Sequence, residues 1–160
     1  IVPEANRGAV VLCNQESSAH TQAVQAVAHV LVDERPQADA FAVSWVVPIS
    51  RALAEGGIDA ARARCSEIRA GEAQEYFASA YDLDNLAVQL TMAGRPELAL
   101  SVLGLNIEAF PAHIDSYLGQ AQLYLQRGKT AQAREILAKA LSIDPTDATA
   151  ASLLQRAQQT

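Results

Sequence analysis

From residue 80 onward, apolar positions recur three and four residues apart, the spacing of one buried helix face. Leu83, Leu86, Ala87 and Leu90 form one such face, and Ala99 and Leu103 start a second. Tyr117, Ala121 and Tyr124 form a third, and Ala133, Leu137 and Ala140 a fourth. Gly94, Pro111, Gly128 and Pro145 stand between these faces, where helices should stop. Asp147 is a fitting N-cap for a last amphipathic helix over 148–158, whose Gln155, Arg156, Gln158 and Gln159 suit a solvated outer face.

Upstream the pattern is less regular. Ile1-Val2, a Pro3-to-Gly8 turn and the apolar run 9–13 predict a β-hairpin closed by Asn14. Ala23, Val24, Val27, Ala28 and Leu31 predict a helix over 18–32, and 33–37 reads as a linker. Trp45, Ile49, Leu53, Ala61, Cys65 and Ile68 predict two helices, the first starting near Pro48, broken at Gly56-Gly57. Residues 71–80 read as a short helical insertion. No stretch after residue 14 reads as a strand, which leaves the hairpin without a sheet.

The strongest regularity is a period. Gly94 and Gly128, Ala99 and Ala133, and Pro111 and Pro145 are each 34 positions apart. Gly permits the turn between two helices, Ala permits their close approach, and Pro ends the second. In this order and at this period the chain resembles the tetratricopeptide repeats. One unit, 114–147, carries Tyr117, Ala121, Tyr124, Gly128, Ala133, Leu137, Ala140 and Pro145. The other, 80–113, carries Leu83, Leu86, Ala87, Leu90, Gly94, Ala99, Leu103 and Pro111. It departs from the family at Asn106, where a small apolar residue is usual, so a polar group meets a close helix contact. The expected fold is mainly α, helix-turn-helix repeats in an α-α superhelix, preceded by a β-hairpin and one helix. The expected domains are 1–35, a degenerate repeat over 38–79, and two repeats with a capping helix over 80–160.

A second resemblance lies at the start. Ile1-Val2-Pro3-Glu4, Gly8, Val10-Val11-Leu12 and Asn14, followed by a helix, are similar to the C-terminal end of serine β-lactamase and penicillin-binding-protein-like hydrolases. The phrase Leu105-Asn106-Ile107-Glu108-Ala109-Phe110-Pro111 is similar to the repeat-bearing tails of such proteins. The chain opens on Ile1 rather than Met, as expected of a piece of a longer polypeptide or of a trimmed one. The resemblance implies a hydrolase parent that is exported to the periplasm or secreted, with the repeats as its tail.

Composition narrows the function. Ala fills about a fifth of positions and aromatics only 5%, which favours close-packed helices. A net charge of −6 with only two lysines, Lys129 and Lys139, speaks against nucleic-acid binding. No apolar run is long enough to span a bilayer. Cys13 and Cys65 read as separate thiols or, in an oxidising compartment, as a disulfide.

The residues present do not supply the resembled chemistry. That family's Ser-x-x-Lys nucleophile motif is absent, because Gln126 and Ile136 stand three residues before the lysines. Tyr76, Tyr81, Tyr117 and Tyr124 are followed two residues later by Ala78, Leu83, Gly119 and Gln126, so its Tyr-x-Asn base motif is absent too. His20 and His29 are nine apart, too far for a shared metal, and read as surface residues. Glu72, Glu75, Asp82 and Asp84 read as a solvated acidic face near Tyr76 and Tyr81, or else as a site for a cation or basic partner. Arg62, Arg64 and Arg69 read as solvated. No catalytic residue, cofactor or metal is expected, and the fragment itself is not expected to be an enzyme.

What remains is binding. Such stacks hold peptides on the concave face of their first helices. On this chain that face would show Tyr81, Asp84, Asn85, Val88, Thr91 and Met92, then Asp115, Leu118, Gly119, Gln122 and Leu125. A clamp for acidic tails needs cations there, and Asp84, Val88, Leu118 and Gln122 supply none. The expected functions are packing on its own hydrolase domain, homo-oligomerisation, or recognition of another protein. The alternative is an independent adaptor for a neutral or mildly basic, partly apolar peptide.

Overall fold

A computed structural model describes residues 43–71 and 76–159. The hairpin over 1–14, the helix over 18–32, the linker over 33–37, and Cys13 with its pairing lie outside the described residues. The elements run β1 (Val43–Ser44), α1 (Val46–Arg69), β2 (Tyr76–Phe77), α2 (Ala80–Met92), α3 (Pro96–Ala109), α4 (Ile114–Gln126), α5 (Thr130–Ile143) and α6 (Ala148–Gln159). They fall into two compact units that divide between Asp82 and Leu83, in the first turn of α2. Among the described residues no helix is long and apolar enough to cross a membrane.

In the first unit α1 is interrupted where expected. Gly57 has φ 71° and ψ −163°, so 46–56 and 58–69 are two helical runs joined at a kink. Pro48 sits in the first turn, where its missing N–H has no helical partner to lose. Ile49, Leu53, Ala61, Cys65 and Ile68 are buried. The expectation of a helical insertion before residue 80, and of no strand beyond the hairpin, is corrected. β1 and β2 pair in parallel, Val43 opposite Tyr76 and Ser44 opposite Phe77. Trp45 holds the crossing: it is fully buried, its indole Nε1 donates to the Ser79 carbonyl at 2.9 Å, and its backbone N–H donates to the Phe77 carbonyl at 3.0 Å. A two-residue strand is too short for alternation to show. Asp82 is also buried rather than solvated, and it accepts from the Ser44 hydroxyl at 2.5 Å. Arg64 pairs with Glu67 at 2.8 Å and lies 5.3 Å from the Tyr76 ring centroid, so it is held rather than loose.

The second unit is a run of helical hairpins. The turns inside its first two hairpins are copies at the repeat period. Gly94 and Gly128 adopt φ 73° and 70°, the left-handed region, and so let each helix close with the same pair of bonds. Arg95 N–H donates to the Leu90 carbonyl at 2.8 Å, and Lys129 N–H to the Tyr124 carbonyl at 2.9 Å. Gly94 N–H reaches the Thr91 carbonyl at 3.0 Å, and Gly128 N–H the Leu125 carbonyl at 3.1 Å. Across each turn the small residues predicted to permit close approach, Ala87, Ala99, Ala121 and Ala133, are all buried.

Tyr117, Leu118, Ala121, Leu137, Ala140, Ala150 and Leu153 form one core shared by α4, α5 and α6. Asp147 caps α6 as expected, its carboxylate accepting from the Ala150 N–H at 2.6 Å. Before it, the Thr146 hydroxyl and N–H both donate to Asp144, which lowers the Asp144 pKa.

Ala at position 128 would have to enter the left-handed region, which costs an L-residue about 1 kcal/mol or more. No atom crowds a Cβ there, so the penalty is one of backbone alone. Gly128→Ala should lower the stability of the chain by about that amount in chemical denaturation. Gly128→Asn, which tolerates this region, should recover part of it.

Candidate functional site

The first helices of the two repeats show equivalent faces. On α2, Asp84, Ala87, Val88, Thr91 and Met92 follow the i, i+3, i+4 spacing of a single stripe. On α4, Asp115, Leu118, Gly119, Gln122, Leu123 and Gln126 do the same. With Leu103 of α3 behind them, these residues line a groove of about 410 Å³. Asp84 and Leu118, Val88 and Gln122, and Met92 and Gln126 are pairs one repeat apart. The two walls are therefore the same surface of two successive units.

The floor depends on a missing side chain. A Cβ on Gly119 would stand 3.3 Å from a Leu103 methyl, so glycine there lets Leu103 come forward under the groove. The rim is apolar and open: Met92 is 84% exposed and Val88 56%. The Thr91 hydroxyl is turned back onto its own helix, donating to the Ala87 carbonyl at 2.8 Å. Among the described residues Asp84 and Asp115 are the charged residues of the lining, and no Lys, Arg or His joins them.

Asp84 is also the centre of a polar knot. Its Oδ1 accepts from Asn106 Nδ2 at 2.8 Å and from the Ser116 hydroxyl at 2.7 Å. Asn106 Nδ2 also donates to Ser116 Oγ at 2.8 Å. Asp84 Oδ2 lies 2.5 Å from His113 Nε2. A carboxylate only accepts, so the His113 proton sits on Nε2. Asn106 and Ser116 are fully buried. Four residues from α2, α3, the α3–α4 loop and α4 thus meet at one carboxylate.

The next junction is built differently. One repeat on from Asn106 and Ser116 stand Ala140 and Ala150, both fully buried, and one repeat on from Asp84 stands Leu118. A polar contact at the first junction is replaced by an apolar one at the second.

Of the residues anticipated for the groove, Asp84, Val88, Met92, Leu118 and Gln122 line it, with Thr91, Asp115 and Gly119. Tyr81 is 64% exposed on the first turn of α2, outside the lining. Asn85 is exposed beside the stripe, and Leu125 packs against the α4–α6 core. The reading of Asp84 as part of a solvated face is corrected, because three donors surround it. Sequence reasoning missed His113 and Ser116. The available signal was Asn106, whose polar group at a small-residue position had to find partners, but nothing in the spacing named them.

Residues 90–157 match the family model described as "Tetratricopeptide repeat". Among solved structures, the chain is similar to the second TPR domain of the human RPAP3 protein, solved by NMR in complex with the HSP70 peptide SGPTIEEVD. That pair shares 16% identity with a TM-score of 0.49, over 74% of this chain and 96% of the other. It is also similar to the first TPR of Spaghetti (RPAP3) bound to the HSP90 peptide SRMEEVD, at 14% identity and a TM-score of 0.47, over 72% and 88%. No curated protein matches the sequence.

Removing the shared acceptor leaves buried donors short of a partner, whereas replacing it together with its two fully buried donors, Asn106 and Ser116, leaves only the part-exposed His113 to turn to water. Asp84→Ala should therefore destabilise the chain by about 2 kcal/mol. The triple variant Asp84→Leu, Asn106→Ala, Ser116→Ala copies the second junction and should fall within about 1 kcal/mol of the native chain. Urea unfolding of the two variants side by side measures the difference.

Proposed function

We propose that residues 80–160 form a protein-recognition module that holds a neutral or mildly basic, partly apolar peptide segment in the groove between α2 and α4. The observation that carries this reading is the open apolar rim of Val88 and Met92 over a formed cavity of about 410 Å³. A Met exposed to this degree contributes nothing to the core it stands on, and unbranched Met is suited to binding surfaces that adapt to a partner. The family match over 90–157 supports the same reading, since repeat stacks present extended concave surfaces for ligands.

A second reading is favoured by the phrase from Ile1 to Asn14. In it the repeats are the tail of a serine β-lactamase-like hydrolase and pack on that domain or on a second copy. It is tested by reading the coding frame upstream of Ile1. A frame carrying Ser-x-x-Lys followed by Tyr-x-Asn is expected, and a start codon immediately before Ile1 rejects it.

The groove itself is tested by selecting displayed random dodecapeptides on the full chain. The selected peptides should bind Val88→Glu/Met92→Glu at least about tenfold more weakly, the scale of losing one central contact. Ala138→Glu, on the exposed side of α5, should leave binding unchanged. Equal binding to the groove variant would place the peptide site elsewhere and sink the reading.

A further inference from the structure

Resting on the groove reading above, we infer that the segment received there carries a lysine or arginine beside an aliphatic side chain, and that Asp115 is the residue that reads the cation. Charge complementarity is the first support. Among the described residues the lining holds two carboxylates and no basic group, so an acidic segment would meet like charge at close range. The formal charge of −6 over the 160 residues adds attraction at longer range.

The two carboxylates are not equivalent. Asp84 accepts from Asn106 and Ser116 on one oxygen and faces His113 on the other, so its orientation is set by the fold. It contributes negative potential but has little freedom to follow a ligand. Asp115 is exposed in the first turn of α4, and its side chain makes no hydrogen bond among the described residues. It can turn to meet an ammonium or guanidinium group. Along the same groove, Val88, Met92 and Leu118 offer an apolar strip to a neighbouring aliphatic side chain. Gln122 and Gln126, both exposed, can bond the peptide backbone between them.

Asp115 in a first helical turn also opposes the positive end of the helix dipole, a purely structural role. The two roles give different readouts. Three pools of capped hexapeptides, identical but for one position fixed as Arg, Gln or Glu beside a fixed Leu, are titrated against the full 160-residue chain by fluorescence anisotropy. Amide shifts are followed at Val88, Met92 and Leu118.

The Arg pool should bind best and the Glu pool least. Asp115→Asn should bring the Arg pool down to the Gln pool, a loss of about fivefold, the upper range for one exposed ion pair. Raised salt should narrow the same gap. Asp115→Lys should transfer the preference to the Glu pool.

Equal binding of the Arg and Gln pools, untouched by Asp115→Asn, would overturn this inference and leave the groove reading standing. So would Asp115 variants that lower thermal stability without changing the order of the pools. Absence of binding and of shifts by every pool would overturn both. A dimer of the native chain that Met92→Glu converts to monomer would show the groove covered by a second copy, and would overturn the peptide proposal.

Discussion

A two-helix hairpin cannot bury both of its apolar faces by itself, and everything in the second unit follows from how one hairpin closes on the next. The closing distance is set by small residues. Within each hairpin Ala87 and Ala99, or Ala121 and Ala133, are buried on either side of the turn that Gly94 or Gly128 makes. Once that distance is fixed, the side chains facing across a junction have little room to vary. They must either be small and apolar, as Ala140 and Ala150 are, or have their donors met by a shared acceptor, as those of Asn106 and Ser116 are at Asp84.

The groove is a by-product of the same closure. Stacking two copies of a helix in the same orientation leaves equivalent stripes side by side, and a stripe with no third partner stays open. What distinguishes its two walls is what each position also does for the fold. Leu118 is both core and floor, Asp84 is both junction and wall, while Met92, Val88, Gln122 and Asp115 stand outside the packing. The second set can therefore vary without disturbing the junction, whereas a change at Leu118 or Asp84 alters the packing as well as the groove.

The parts of this arrangement legible in the sequence are those that depend on local rules. Gly, Ala and Pro at a fixed period state the turns, the close contacts and the helix ends, and the i, i+3, i+4 spacing states which side of α2 and α4 shares a face. The break at Gly57 and the cap at Asp147 are local in the same sense. The parts that escaped depend on distant partners. β1 and β2 are two residues each and exist because Trp45 reaches Ser79, 34 residues away. Asp84 looked like surface because its neighbours in sequence are acidic, yet its partners lie 22 to 32 residues on. A polar residue at a small-residue position announces that a partner exists, and the fold decides which one.

The polar junction also bears on a hazard special to repeats. Units built on one pattern offer nearly equivalent faces, so a helix could pair with the wrong neighbour at small cost if every junction were apolar. Ala140 against Ala150 would accept many partners, since burial of a methyl group is indifferent to direction. Asn106 and Ser116 would not, because the pairing that brings Asp84 to them gives their donors an acceptor. Placed against Ala140 or Ala150, the same donors would be buried with no acceptor at a cost of about 1–3 kcal/mol each. A network that adds little to stability over an apolar contact can still set the order of stacking, by raising the energy of each wrong register. One polar junction is enough for this, because fixing the first pair of hairpins leaves the next only one face on which to close.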